Sequence, residues 1–471
     1  MTLILIIDLI SIGLLFIIVL SKGFEATLPL AAFLMMLFPF ESQINLPGLF
    51  VLTTQRLIVV ALFILYLVYG GARGEGGRKK KLPLKYLLLL LMVWMLISAA
   101  NSVVFTVSLK TVLSQLFDFF VLYYIFAKSV SKVETINKIL YAFVMAMFVC
   151  SIFGALETYR GWSVNSLFPQ AFHRFASLGG ESDRGIRAQS TFAHAILFGG
   201  ALAMAIPMAL YLVTLAKTRA GKALLWSATL LMFLNIYKSG SRGPWLALIL
   251  SLGLLFIFAK GSVRKYLTVI SLLTITVLIV RPGVWETIGN LYMQTQDPDT
   301  EQGQSYQWRY ALYRVAIEHL DGDLGRALWG YGPESFSYLG WQGEFQGMTV
   351  KYESCDSSVA ALMIETGYVG FLIVAALLLK VAISAFRSFR RIPAPANLLS
   401  LVLFVNICAF CFLMTNVLIF GWGQQSYMLW VLLALATIYP RFVLSDSPHG
   451  KALCPAGMSD GLAPVHQPRS L

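Results

Sequence analysis

The sequence predicts an all-α, polytopic integral membrane protein of about 12–14 transmembrane helices with one large extracytoplasmic loop. Three observations carry that prediction. Of the 471 residues, 58% are hydrophobic and only 13% charged, whereas soluble chains carry about 25% charged residues. Mean hydropathy is +0.74. Apolar runs without strand-like alternation recur along the chain, and a backbone in hydrocarbon has to satisfy its own hydrogen bonds, which a helix of roughly 17–25 residues does. Finally, the basic connectors "RGEGGRKKKLPLK", "KTRAGK", "KGSVRK" and "RSFRRIPAPAN" all fall on one side of the alternation, the cytoplasmic side by the positive-inside rule.

Taken in order, the runs predict spans at about 3–20, 27–40, 56–70, 86–105, 109–127, 139–157, 193–216, 223–238, 244–260, 266–281, 357–380, 398–420 and 425–440. Met1 leads straight into apolar sequence containing Asp8, with no basic leader or small-residue cleavage site, so the first run reads as a retained helix. The chain divides into N-terminal helices (1–281), a loop (282–355), C-terminal helices (356–440) and a tail (441–471). The tail's scattered Pro, Gly and Ser predict a disordered cytoplasmic end. A net charge of +13 follows from the connectors, which speak for topology and anionic lipid rather than nucleic acid. The five cysteines show no metal-type spacing.

Two segments on the outer side exceed ordinary connectors: 158–192 and 282–355. Loops of such length are usually functional. The longer one is acidic and rich in aromatics, including Trp285, Trp308, Trp329, Trp341 and Tyr331. That surface suits sugars or a headgroup layer and does not suit a phosphate backbone. Trp308, Tyr331 and Trp341 are the candidate glycan contacts. Within it, "SYQWRYALYRVAIEHL" aligns Trp308, Leu312, Val315 and His319 on one stripe, which predicts an amphipathic helix lying on the membrane. "DPD" (297–299) and "DGD" (321–323) imitate a metal motif but read as turns in this setting.

The cations on the outer side are nearly all arginine: Arg56, Arg160, Arg174, Arg184, Arg187, Arg242, Arg281, Arg309, Arg314 and Arg326. Guanidinium grips phosphate or carboxylate bidentately, so this enrichment points to an anionic, phosphorylated ligand. The plainer reading of any single arginine is a structural pair, as for Arg314 with Glu318 at i,i+4. Arg242 stands out because "GSRGPWLAL" puts it in a Gly-bounded turn where backbone amides can join it around an anion. Asp8, Asp118 and Glu157 lie inside apolar spans. That is costly and marks them for function unless a partner such as Arg56 makes them structural.

"RAQSTFAHAILFG" (187–199), "GSRGPWLAL" (240–248), "WRYAL" followed by "LWGYGPESF" (328–336), and "CDSSVAALMIETGYVGF" entering a helix together resemble the O-antigen ligase and polymerase superfamily of bacterial surface polysaccharide assembly. The resemblance covers about 187–380. It implies glycosyl transfer, without cofactor or metal, from an undecaprenyl-diphosphate-linked oligosaccharide to an acceptor glycan or glycolipid. The setting is the bacterial inner membrane, with the site facing the periplasm or exterior. A chain-length regulator and a flippase are implied partners, along with membrane lipid and no nucleic acid. By position, Arg242 and Arg309 hold the diphosphate, and Arg187 joins them as a candidate.

The chain departs from the ligase pattern at one point. Where ligases carry a histidine about nine positions before the "E-x-G" element, this chain has Asp356. A carboxylate can take the acceptor proton if it is partly desolvated, so Asp356 is the candidate base. The competing reading is an N-cap for the helix that follows. Glu353 and His194 are the substitutes, with His173 a further outer histidine. Replacement of the histidine favours a polymerase over a ligase proper that attaches glycan to a lipid A-core acceptor. A transporter of polysaccharide or lipid-linked glycan is the alternative class, and it would be expected to show paired repeats and midplane polar groups.

Overall fold

The computed structural model describes residues 2–39, 43–44, 51–70, 82–168, 186–280, 289–290, 292–297, 299–345, 348–352 and 354–444. The fold is all-α. Among the described residues, eight helices are long and apolar enough to cross a membrane and four shorter apolar helices accompany them. In chain order these are α1 (Thr2–Lys22), α2 (Leu28–Leu37), α3 (Thr54–Leu65), α4 (Lys85–Ala100), α5 (Phe105–Gln115), α6 (Leu122–Ser129), α7 (Val133–Arg160), α8 (Ala195–Leu215), α9 (Arg219–Lys238), α10 (Arg242–Phe258) and α11 (Ser262–Val280). A π-helical turn over Leu116–Val121 joins α5 to α6. The loop contributes α12 (Glu301–Asp321), α13 (Leu324–Trp329) and α14 (Phe336–Leu339). The chain closes with α15 (Ser358–Arg391), α16 (Asn397–Met414) and α17 (Gly423–Leu444). Every span predicted from hydropathy coincides with a helix.

Helix α8 is the pillar of the bundle, with 94% of its apolar window buried. Its composition explains this, because Gly and Ala let neighbouring backbones approach closely. Gly199 sits against Pro244 and Ser239, and Gly200 against Leu413. Helices α16 and α17 complete the centre, where Trp430, Tyr427 and Phe410 are fully enclosed.

The loop builds a core of its own. Leu312, Val315 and Ala316 of α12 are buried with Phe336, Trp341 and Tyr352 and with Ala360, Ala361 and Ile364 from the start of α15. A hairpin of β1 (Gln342–Phe345) and β2 (Met348–Lys351), paired Gln342 to Lys351, carries Trp341 and Tyr352 at its ends. The expected amphipathic helix therefore exists, but its apolar stripe packs on the protein rather than on lipid. A stripe specifies that something apolar covers it, and here the loop's own aromatics do so.

Helix α15 is broken. Gly367 has φ 69° and ψ 178°, outside the range open to residues with a Cβ, and the break leaves carbonyls of the preceding turn without helical partners. Other elements supply the donors. Tyr331 N–H donates to Ile364 O (2.8 Å) and Gly332 N–H to Glu365 O (2.9 Å). Ser98 Oγ also donates to Glu365 O (2.6 Å), and Trp94 Nε1 to Thr366 O (2.9 Å). Gly330 (φ 75°) lies flat against the Glu365 carbonyl, and Gly367 against that of Leu328, so a side chain at either would collide with backbone. "LWGYGPESF" and "IETGYVG" are thus two halves of one interlock.

Candidate functional site

Three helix starts meet at one end of the bundle, and the turn between α16 and α17 ties them together. His194 caps α8, its Nδ1 accepting Ile196 N–H (3.1 Å). A neutral ring therefore carries its proton on Nε2. Ser241 precedes α10. Ser357 caps α15, its Oγ accepting Ala360 N–H (3.4 Å). Val417 O receives both Ser358 N–H (3.1 Å) and Ser358 Oγ–H (2.9 Å), while Ile419 N–H and Phe420 N–H donate back to Ser358 Oγ. The neighbouring Asn416 stands 3.8 Å, and Ile196 3.9 Å, from where a Cβ on Gly243 would lie. The starts of α8, α10 and α15 therefore surround residues 415–417. Each start directs the partial positive charge of its helix toward this end, a setting that favours an anion.

The loop helix α12 joins the same turn. Tyr313 OH is hydrogen-bonded to Ser357 Oγ and donates to Thr415 O (3.4 Å). Burial pushes its phenol above the ordinary value, with the Arg309 guanidinium pulling the other way. Arg309, one turn earlier, donates to Ser305 Oγ (3.1 Å). Cys355 is buried, and desolvation lifts its thiol to about 12, so it stays protonated. That removes it as a nucleophile.

Of the predicted residues, Arg242 precedes Gly243, which faces Asn416, Asp356 lies two residues before Ser358, which bonds Val417, and His194 caps the helix whose Ile196 also faces Gly243. Arg242 opens α10 and bonds Thr295 Oγ1. Asp356 is half-buried, immediately before the cap of α15. The capping reading is corrected: Ser357 is the N-cap, because in the run Asp-Ser-Ser only its oxygen reaches back to Ala360 N–H. Arg187 braces the turn, donating through Nε to Ser239 O (2.8 Å) and through Nη2 to Ser241 Oγ (2.5 Å). Glu353 and His173 lie outside the described residues, as do Arg174, Arg184 and Arg281.

The aromatics divide. Trp341 is only 7% exposed, stacked on His319 at 4.2 Å and edged by Tyr331 and Phe336. It is a packing residue, because its ring is already occupied. Tyr331 carries the Arg326 guanidinium over its ring at 4.7 Å and donates to His319 O (3.3 Å). Trp308 is half-buried against Tyr352, 4.7 Å between rings. Asp323 caps α13, accepting Gly325 N–H, and Asp297 accepts Asp299 N–H. Among the described residues no group of three or more His, Cys, Asp or Glu gathers as a metal ion would require.

Two of the three intramembrane acids, Asp118 and Glu157, have structural partners. Arg56 grips Asp118 bidentately, Nη2 to Oδ2 at 2.6 Å and Nε to Oδ1 at 3.0 Å. Glu157 accepts Gln189 N–H (2.7 Å) and Ser190 N–H (2.8 Å). Arg314 and Glu318 form the expected exposed pair at 2.8 Å. Asp8 is buried beside Thr54.

Residues 227–375 match the O-antigen ligase family model. Arg242, Arg309 and Asp356 lie inside the matched stretch, whereas Arg187 and His194 precede it. No curated protein matches the chain. Sequence reasoning missed Ser357 and Tyr313, whose roles depend on contacts between the loop helix α12 and the starts of the bundle helices. It also missed Glu334, which adopts a left-handed backbone (φ 62°) rarely held by a residue with a side chain.

Proposed function

We propose that the protein transfers a glycan from an undecaprenyl-diphosphate carrier to an acceptor sugar hydroxyl, as the polymerase of a surface polysaccharide, at the outer face of the bacterial inner membrane. The observation that supports this best is that the O-antigen ligase match contains both Arg242 and Asp356, whose helix starts meet at one turn. The diphosphate lies at the start of α10, held by the Arg242 guanidinium and the exposed amides of that helix. Arg187 positions Arg242 by fixing the turn, and Arg309 adds positive charge from the loop.

Asp356 takes the proton of the acceptor hydroxyl as its oxygen bonds to the anomeric carbon. The carbon–oxygen bond to the diphosphate breaks, and its electron pair leaves with the lipid diphosphate. The proton then passes from Asp356 to solvent. Charge on the leaving group is met by guanidinium and helix amides, so a chelator leaves the rate unchanged. Aspartate in place of the ligase histidine favours a sugar chain over a lipid A-core glycolipid as acceptor.

Purified protein supplied with diphosphate-linked repeat units tests this. Because Ser357 holds the cap, Asp356→Asn leaves the helix intact. Turnover is expected to fall roughly 10²-fold or more, the usual size of a general-base contribution. Arg242→Lys is expected to lose about ten-fold despite keeping its charge, since an ammonium cannot make the bidentate contact. Chain growth at the wild-type rate in Asp356→Asn would remove Asp356 from the mechanism.

A further inference from the structure

Helix α12 carries a second apolar face. Its stripe of Leu312, Val315 and Ala316 is buried in the loop core, yet Tyr306, Tyr310 and Ile317 are 57%, 68% and 41% exposed. With Tyr313 between them they follow one another at spacings of four, three and four residues, so each is the surface neighbour of the next. The row runs for about 16 Å along the helix. A helix that exposes such a row beside a buried one offers more apolar surface than its own fold uses. Tyr313 joins the row to the candidate site, since its hydroxyl meets Ser357 and Thr415 at the α16–α17 turn. Charged groups along the other edge are matched within the chain, Arg314 to Glu318 at 2.8 Å and Asp321 to Tyr368 OH at 2.8 Å.

What covers this row has to be apolar on its face, polar at its edge and without strong charge. An acyl or polyprenyl chain would bury the Tyr306 and Tyr310 hydroxyls with nothing to hydrogen-bond them, and an aliphatic row would suit it better. An anionic headgroup meets Arg314 already paired with Glu318. A sugar fits both the face and the edge, laying the C–H side of its ring on a tyrosine and offering hydroxyls to the phenols. We propose that the row is a platform for the glycan carried by the lipid diphosphate, which leaves the site past Tyr313 and lies over Tyr310 and Tyr306. The transferred glycan is chosen over the acceptor because Arg309, which supplies charge to the diphosphate, is on the same helix and one turn from both Tyr306 and Tyr313. The inference rests on the glycosyl-transfer reading for its ligand. It moves glycan recognition from Trp341, which is packed, to exposed tyrosines of α12.

The test reads binding and turnover separately. Both rings are exposed, so alanine in their place leaves the loop core intact. Ile317→Cys, in a full-length chain with Cys408, Cys411 and Cys454 replaced by alanine, is labelled with a bimane and placed in nanodiscs. The probes are oligosaccharides hydrolysed from the source cells' own surface glycan, and brominated phosphatidylcholine within the disc. The expected result is a saturable change of emission with the oligosaccharides and no quenching by the brominated lipid. That change is lost when Tyr306→Ala and Tyr310→Ala are combined and kept when Tyr306→Trp and Tyr310→Trp are combined. In the polymerisation assay each single alanine variant raises the KM for the diphosphate-linked oligosaccharide roughly two- to ten-fold, the scale of one aromatic contact, while kcat holds. Quenching by the brominated lipid, no response to the oligosaccharides, or a response that survives the double alanine variant overturns the inference. Rescue by leucine at both positions as complete as by tryptophan also overturns it, since a merely apolar contact needs no ring. Unchanged KM in alanine variants that polymerise normally removes the platform and leaves the glycosyl-transfer reading standing. A saccharide response in a chain that turns over no diphosphate-linked donor upholds the platform and rejects that reading.

Discussion

Helix α15 leaves backbone groups unsatisfied in two places, at its start and at its break, and the protein treats them oppositely. At the break the exposed groups are carbonyls, and all three are closed by donors from α4 and the loop. At the start the exposed groups are amides. Ser357 Oγ and Val417 O each take one of them, while the starts of α8 and α10 bring two more positive helix ends to the same turn. Buried acceptors sealed by the protein make a joint, whereas three positive helix ends gathered at one turn suit an anion that arrives from outside. The same helix thus supplies a structural anchor and, two turns away, a chemical one.

The comparison is broken most severely at the joint. Gly367→Ala would put a methyl into the Leu328 carbonyl and impose a left-handed backbone on alanine, which alone costs about 1–2 kcal/mol. The collision adds to this, and yield of monodisperse protein should drop sharply, with whatever survives melting well below wild type. A normal melting profile would mean that the loop does not dock at the break. At the start the effect is smaller: Ser357→Ala removes one cap and should cost about 0.5–2 kcal/mol in thermal unfolding, together with the tie to Tyr313. Loss confined to activity, with no change in melting, would show that the start is held by the α16–α17 turn alone.

The smallest effect concerns Glu334. Burial raises its carboxyl above the ordinary 4.5, with Arg56 opposing. The unfolded chain ionises first as pH rises, so this group's contribution to stability is undiminished below the ordinary value and is lost as pH climbs from there to the raised one. Glu334→Gln should flatten that decline in melting temperature as pH rises above the ordinary carboxylate value. A decline of the same slope in the variant would assign it to another carboxylate.

These contrasts also mark what the sequence discloses. The helices are legible because hydropathy reports burial in lipid directly, and Arg242 and Asp356 are legible because a Gly-bounded turn and a loop-to-helix junction leave local signals. The break is not, since one glycine in an apolar run is a weak mark, and Gly367 acquires its meaning from Gly330 and Gly332 elsewhere in the chain. The shift of the cap from Asp356 to Ser357 is a one-residue register in a run of possible caps. The stripe on α12 disclosed an apolar face without disclosing that Trp341 and Tyr352 cover it. Glu334 and Glu365 meet only once the loop has docked.

Helix α8 is almost wholly walled off from lipid in the finished bundle, yet during synthesis it has to enter the bilayer before α10, α16 and α17 exist to surround it. Its sequence therefore serves two solvents in succession. A mean hydropathy of 2.1, supplied largely by its leucines, isoleucines and other large apolar residues, carries it out of the translocation channel as a lipid-soluble rod, and the alanines and glycines set among them are small enough to be gripped afterwards. Leucine at those small positions too would satisfy the first solvent and obstruct the second.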